Sequence, residues 1–362
     1  MAERIKSLYE TQKVNDPLVF TETIKIDDAE LRTVVSHLES ISLLKTDLDT
    51  KGVAFETFMK DFFEGDAGQY FTPREIVEFA IKMVQIPDEP IADKIILDPA
   101  CGSGGFLLYA MNAARHEAPE YQRDRDGQYK HWHDFAKERL FGIEINEEIA
   151  RVAKMNMILH DDGHSNVIGV DSLDRLNRIQ EVNRGFKANH FDLILTNPPF
   201  GAQVVLAERP YLADYAELGN TEDANGKKKA RKNQKTEILF LERIWHFLKP
   251  KTGRAAVVLP DGILTNSSLQ YVREFLLEHF HVQAVVSLPA TAFSHYGAGV
   301  KSSLVFLRKR AEDEKPDDNE AIFMAVPELI GYDATGRKCD NQLPEIAQQF
   351  REFQKEAKPF FV

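Results

Sequence analysis

KIILDPACGSGGFLLYAMNAARHEA, Lys94 to Ala118, is the stretch whose reading decides the fold. Its apolar start, closed by Asp98 and Pro99, reads as a buried strand, and GFLLYAMNAARHEA from Gly105 onward carries the apolar spacing of a helix. Between them Gly102, Gly104 and Gly105 let the backbone turn tightly and approach a ligand, because no Cβ intervenes. The turn is neither the G-x-G-x-x-G dinucleotide fingerprint nor a P-loop, since no Gly-Lys-Ser/Thr follows it.

Outward from this unit the alternation continues. Further strands are expected at ERLFGIEI (138–145), SNVIGVD (165–171), FDLILTN (191–197), GRAAVVLP (253–260), HVQAVVSLP (281–289) and KSSLVFLRK (301–309). Helical patterns such as NEEIARVAKMNMILH, EILFLERIWHFLKP and LQYVREFLLEHF separate most of them. Such alternation predicts an α/β fold: a doubly wound, mostly parallel seven-stranded sheet with helices on both faces. A short glycine-bearing loop joins the last two strands, so the seventh is expected to insert antiparallel. TPREIVEFAIKMV (72–84) reads as a helix with Thr72 as N-cap, Pro73 at the first helical position and Glu75 three residues after the cap. Upstream, Leu31, Val34, Val35, Leu38, Ile41 and Leu44 share one helical face. Past Arg310 come an acidic, proline-bearing connection, a strand AIFMAV, a hairpin turn GYDATGRK and a terminal helix IAQQFREFQKEA that packs on this chain or on a partner. The expected division is a small helical lead-in (1–66), a catalytic domain (67–312) and a C-terminal extension (313–362).

The chain has 362 residues, 43% of them hydrophobic, enough for a substantial core. No apolar run is long enough to span a membrane and the N-terminus lacks the apolar core of a signal peptide, so the expected compartment is the cytoplasm. Two cysteines, Cys101 and Cys339, make no disulfide framework, and neither HWHD nor HDDGH has the spacing of a known metal site, so no metal is expected. A net charge of −12 is the wrong sign for gripping nucleic acid over the whole surface; contact with a polyanion must be local or shared with a partner. The local candidate is KKKARKNQK, where Lys227, Lys228, Lys229, Arg231 and Lys232 cluster, read either as a solvated loop or as a phosphate-contacting one.

Ligands of open α/β sheets bind beyond the carboxyl ends of the strands, and the chemically suggestive residues fall there. Glu144 closes the second strand, where a carboxylate accepts hydrogen bonds from ribose hydroxyls, and Asp171 closes the third, where it suits the amino group of an adenine. A lone acidic residue at such a place is usually a solvated helix cap; Asp98, Glu144 and Asp171 at successive strand ends are less easily dismissed. The fourth strand ends in Asn197-Pro198-Pro199-Phe200, a stiff extended arm because the prolines fix φ and hold the preceding residues out of the helical region.

DPACGSGGF, FGIEIN, VDSL and NPPF, preceded by GQYFTPREIV, together resemble the modification subunit of type I restriction-modification systems, a family of S-adenosylmethionine-dependent N6-adenine DNA methyltransferases with a Rossmann-like class I fold. The resemblance covers roughly residues 50 to 345, and its most specific elements are GQYFTPREIV and NPPF. It implies that Gln69, Tyr70, Phe71, Thr72, Pro73 and Arg74, with Asp98, Ala100, Gly102, Ser103, Gly104 and Gly105, hold S-adenosylmethionine, that Glu144 takes its ribose and that Asp171 lies against its adenine. The implied partners are DNA and a specificity subunit, with two modification subunits to each specificity subunit and with or without a restriction subunit. The family carries a longer helical domain ahead of these motifs, so residues 1–66 are expected to be a short or partial form of it. On this reading the Asn197 side-chain carbonyl and the Pro198 backbone carbonyl accept the N–H groups of an adenine amine and aim its lone pair, while Phe200 stacks on a base rotated out of the duplex. The same tetrapeptide also suits methylation of cytosine N4, RNA guanine N2 or protein glutamine, or a catalytically silent binding subunit.

Overall fold

The computed structural model describes residues 1–15, 17, 19–40, 72–86, 89–161, 166–222, 226–294 and 299–357; Gln69, Tyr70 and Phe71 lie outside the described residues. All seven expected strands form: β1 (Ile96–Asp98), β2 (Leu140–Glu144), β3 (Asn166–Gly169), β4 (Leu193–Thr196), β9 (Arg254–Pro260), β10 (Phe280–Ser287) and β11 (Ser302–Lys309). Four short strands, β5 (Gln203–Val205), β6 (Asn220–Glu222), β7 (Lys228–Ala230) and β8 (Asn233–Lys235), lie outside the large sheet. AIFMAV supplies an eighth member, β12 (Phe323–Ala325), which pairs parallel to β10 at the sheet edge. The large sheet is therefore eight-stranded rather than seven-stranded, in the order β12-β10-β11-β9-β4-β1-β2-β3. As expected, β11 alone runs against the others, wedged antiparallel between β9 and β10.

Alternation along each strand divides the core into two layers. Ile96, Leu193, Leu195, Ala256 and Val258 face one apolar cluster, whereas Leu97, Ile194, Ala255, Val257 and Leu259 face the other. Successive side chains of a strand point to opposite faces, so near-continuous apolar strands require helices on both sides. Helices Arg74–Val84 and Gly105–Tyr121 cover the first layer; Thr236–Phe247 and Gln270–His279 cover the second. The terminal helix, Leu343–Glu356, packs on this chain: Leu343, Ile346, Ala347 and Phe350 are buried in the first layer. In the lead-in only Leu31 of the expected apolar face is buried among the described residues; Val34 and Leu38 are exposed, and Ile41 and Leu44 lie outside the described residues.

Two local expectations are corrected. The helix after Thr72 begins at Arg74 with Pro73 as N-cap and no side-chain cap bond, because the Thr72 hydroxyl accepts instead from Nδ2 of Asn197 at 3.2 Å. The basic run is no loop: it forms β7 and β8, with β6 pairing β7 and β5 pairing β8 in small antiparallel ribbons between β4 and helix Thr236–Phe247.

β1 lies between β4 and β2, so the chain runs outward through β2 and β3 and then returns to β1's other side. This reversal opens a crevice beyond the carboxyl ends of β1, β2 and β4, where an open α/β sheet binds its ligands.

Candidate active site

At the end of β1, Asp98 is 1% exposed and its Oδ1 accepts the Ala100 amide at 3.0 Å. Burial pushes its carboxyl up to about 7, partly offset by that amide. The chain then turns through Gly102 (φ +51) and Gly104 (φ +88), left-handed positions that a side chain would strain. The Cys101 amide donates to the Ile143 carbonyl at 2.9 Å, which holds the turn against β2.

Glu144 joins the two strand ends. Its Oε2 accepts the Gly102 amide at 3.1 Å and its Oε1 the Asn146 amide at 2.9 Å, which leaves each oxygen a further acceptor site. Burial raises its pKa, and the amide donors pull the other way.

Beyond β3, Asp171 is held by one neighbour and by two residues distant in sequence. Its Oδ1 accepts the Leu173 amide at 2.9 Å, its Oδ2 accepts the Tyr211 hydroxyl at 2.6 Å, and Arg209 stands 3.4 Å away. The Tyr211 hydroxyl is pushed well above the usual tyrosine range, mainly by burial and also by this carboxylate. Arg243 Nη2 donates to the carbonyls of Leu173 at 3.0 Å and Asp174 at 2.6 Å, fixing the loop that follows.

Asn197 leaves β4 with its amide oriented by Thr72, and its Oδ1 is buried without a hydrogen-bond partner among the described residues. A buried acceptor left unpaired costs about 1–3 kcal/mol, so this oxygen is suited to a donor that arrives from outside. Pro198 is buried, Pro199 exposed, and Phe200 half-buried against the first core layer.

A cavity of about 360 Å³ brings Ala100, Gly102, Glu144, Asp171 and the run Asn197 to Phe200 together. That volume falls within the range of small-molecule sites. Not every residue singled out from the sequence lines it. Asp98, Ser103, Gly104 and Gly105 do not; the Ser103 carbonyl accepts from Nδ2 of Asn156 at 3.0 Å, and Gly104 caps the helix that Gly105 begins. Thr72 acts through Asn197, and Pro73 and Arg74 open a helix. The basic cluster also lies off the cavity: Lys228 pairs with Glu217 at 3.0 Å, the Arg231 guanidinium lies 4.3 Å from the Tyr271 ring centroid, and Lys227, Lys229 and Lys232 are exposed. Arg209, Tyr211 and Thr236 line the cavity unannounced by any motif, as no local pattern marks a residue that acts from 34 to 40 positions away.

The fold is shared with proteins of known structure. The type I restriction-modification system methyltransferase subunit from Streptococcus thermophilus superposes with a TM-score of 0.69 over 97% of this chain and 70% of that one, at 20% identity. With its strand reversal and glycine turn, the sheet is a Rossmann-like class I methyltransferase fold. Residues 46–361 match the family described as N-6 DNA Methylase, and the chain belongs to that family. Among curated relatives, the type I restriction enzyme EcoEI methylase subunit of Escherichia coli is 28% identical over 77% of this chain and 50% of its own length. The type II restriction enzyme and methyltransferase RM.BcgI of Heyndrickxia coagulans is 32% identical over 82% of this chain and 42% of its own length. The chain thus spans about half the length of the curated relatives it matches.

Proposed function

We propose that this chain transfers a methyl group from S-adenosylmethionine to the N6 amine of adenine in DNA, as the modification subunit of a type I restriction-modification assembly. The observation that carries the reading is the buried Oδ1 of Asn197, unpartnered among the described residues, in a cavity that Glu144 and Gly102 also line. Bound there, S-adenosylmethionine would supply an electrophilic methyl on a sulfonium centre. Glu144 has acceptor sites left for two ribose hydroxyls, and Asp171 accepts at the adenine end. The Asn197 side-chain carbonyl and the Pro198 carbonyl accept the N–H groups of the target amine and direct its lone pair, while Phe200 stacks on the extruded base. Asn197 cannot take a proton, so its contribution is position and fixed dipole, and the proton leaves to solvent after transfer.

The partners follow from this reading. DNA is the substrate, a specificity subunit reads the sequence for two copies of this chain, and a restriction subunit is a further member where the system cleaves. Lys227, Lys228, Lys229, Arg231 and Lys232 contact phosphates in the loaded complex. Residues 67–312 form the catalytic unit, 1–66 a helical lead-in and 313–362 an extension fastened to it, and the assembly works in the cytoplasm. No helix among the described residues is long and apolar enough to cross a membrane.

The test is incubation with radiolabelled S-adenosylmethionine and genomic DNA, with and without the specificity subunit, followed by mass spectrometry of the nucleosides. N6-methyladenine is the expected product; N4-methylcytosine, or label in RNA or protein alone, refutes the assignment.

A further inference from the structure

We propose that Thr236 and Glu237 are positioning residues that clamp the outer half of the Asn197–Gly201 elbow and so fix the stance of Phe200 during transfer. The inference rests on the reading above, in which that elbow holds the target amine and Phe200 its ring. Two prolines make the elbow stiff but remove two amide donors from it, so stiffness alone does not seat it against the rest of the protein. Two of its remaining backbone groups, the Pro199 carbonyl and the Gly201 amide, meet two consecutive side chains, and the residue just beyond it is held by the backbone of the first. The Thr236 hydroxyl donates to the Pro199 carbonyl at 2.9 Å, and the Thr236 amide donates to the Ala202 carbonyl at 3.0 Å. The Gly201 amide, at a residue with φ +79, donates to Oε2 of Glu237 at 3.1 Å. Phe200 is thus anchored on both sides, through the carbonyl before it and the amide after it.

The environment of Glu237 points the same way. It is 2% exposed, and the Lys235 ammonium stands 3.7 Å from its Oε1, beyond hydrogen-bond reach. A buried carboxylate so weakly paired is expensive, and an apolar side chain is usually the more stable choice. Ile238, Leu239 and Leu241, which follow on the same helix, are that apolar choice. The Glu237 carboxylate sits in the first helical turn, where the helix dipole favours an anion, and its charge-assisted bond to Gly201 is stronger than one from a neutral acceptor. Neither effect needs a glutamate for packing; both suit one that holds a loop.

The experiment uses the full chain in whatever assembly gives wild-type transfer, with two duplexes: one carrying adenine at the target position for the transfer rates, and one carrying 2-aminopurine there, which has no 6-amino group to methylate, for the fluorescence of the flipped base. Thr236→Val and Glu237→Ala are expected to lower the single-turnover rate at saturating DNA and cofactor at least tenfold, with cofactor affinity within twofold of wild type. The flipped 2-aminopurine is expected to fluoresce more brightly, because Phe200 no longer stacks squarely on it. Thr236→Ser and Glu237→Gln, which keep a hydroxyl and an acceptor, should recover the rate to within threefold. Thr236→Val is nearly isosteric, so it reads out the clamp even if Glu237→Ala folds poorly. Unchanged rates in both, losses that track cofactor affinity, or equal damage from the conservative variants overturn the clamp while leaving the proposed function standing. Wild-type protein that methylates no adenine overturns the function, and the clamp with it.

Discussion

The two ends of the cavity are built by opposite means. At the glycine turn the backbone does the work: left-handed residues at Gly102 and Gly104 bend the chain, and amides of Gly102 and Asn146 hold Glu144. At the proline elbow side chains do the work, since Thr72 orients Asn197, while Thr236 and Glu237 seat the residues beyond it. A backbone-built end is insensitive to most substitutions apart from glycine and the carboxylate it cradles. The end built from side chains fails at single atoms.

The largest effect should come at the elbow. Asn197→Ala removes the orphan acceptor and is expected to cut methyl transfer about 100- to 1,000-fold, the scale for losing one preorganised polar group, with cofactor affinity unchanged in calorimetry. Activity near wild type would place the chemistry elsewhere. Glu144→Ala should reverse that pattern. On the proposed reading two hydrogen bonds to a charged group are lost, so cofactor binding is expected to weaken by about 100-fold or more while turnover at saturation falls much less. An equal effect of both variants on binding would erase the contrast between the two ends.

Asp98 sharpens the comparison through pH. Its folded carboxyl is raised to about 7, so the folded state holds a proton that the unfolded state releases near pH 4. This group's stabilisation is therefore complete below the unfolded value and is lost as pH rises through the folded one. The loss is about 1.4 kcal/mol per pH unit between those limits. Asp98→Asn should flatten that slope in urea titrations from pH 4 to 8, and an unchanged slope would show that the carboxyl is ionised throughout. The smallest effect is expected from Gly104→Ala, which forces φ +88 on a residue with a Cβ and should lower stability by about 1–2 kcal/mol without altering the elbow.

How much could be read in advance follows the same division. Every strand of the large sheet was visible as an apolar run between turn residues, including β12, whose membership of the sheet was not. The glycine turn, Glu144 and Asn197 were visible too, since each is set by neighbours within a few positions. Thr72 reads locally as a helix cap, and only the 125-residue separation between it and Asn197 explains its use elsewhere. Glu237 looks like one polar residue in an otherwise apolar helix start, and Tyr211 has no local signature at all. KKKARKNQK reads as a loop by composition, yet β6 and β5 supply the pairing that makes strands of it. Pairing partners lie outside any short window.

The strand reversal has a consequence for biogenesis. As the chain leaves the ribosome, β1 can pair with β2 as soon as residues up to Glu144 emerge, but its other edge waits for Leu193–Thr196. During that interval an apolar central strand stands with open backbone groups, the condition in which nascent chains mispair or recruit chaperones. The crevice straddles this seam, so the protein becomes competent for ligand only after the seam has closed.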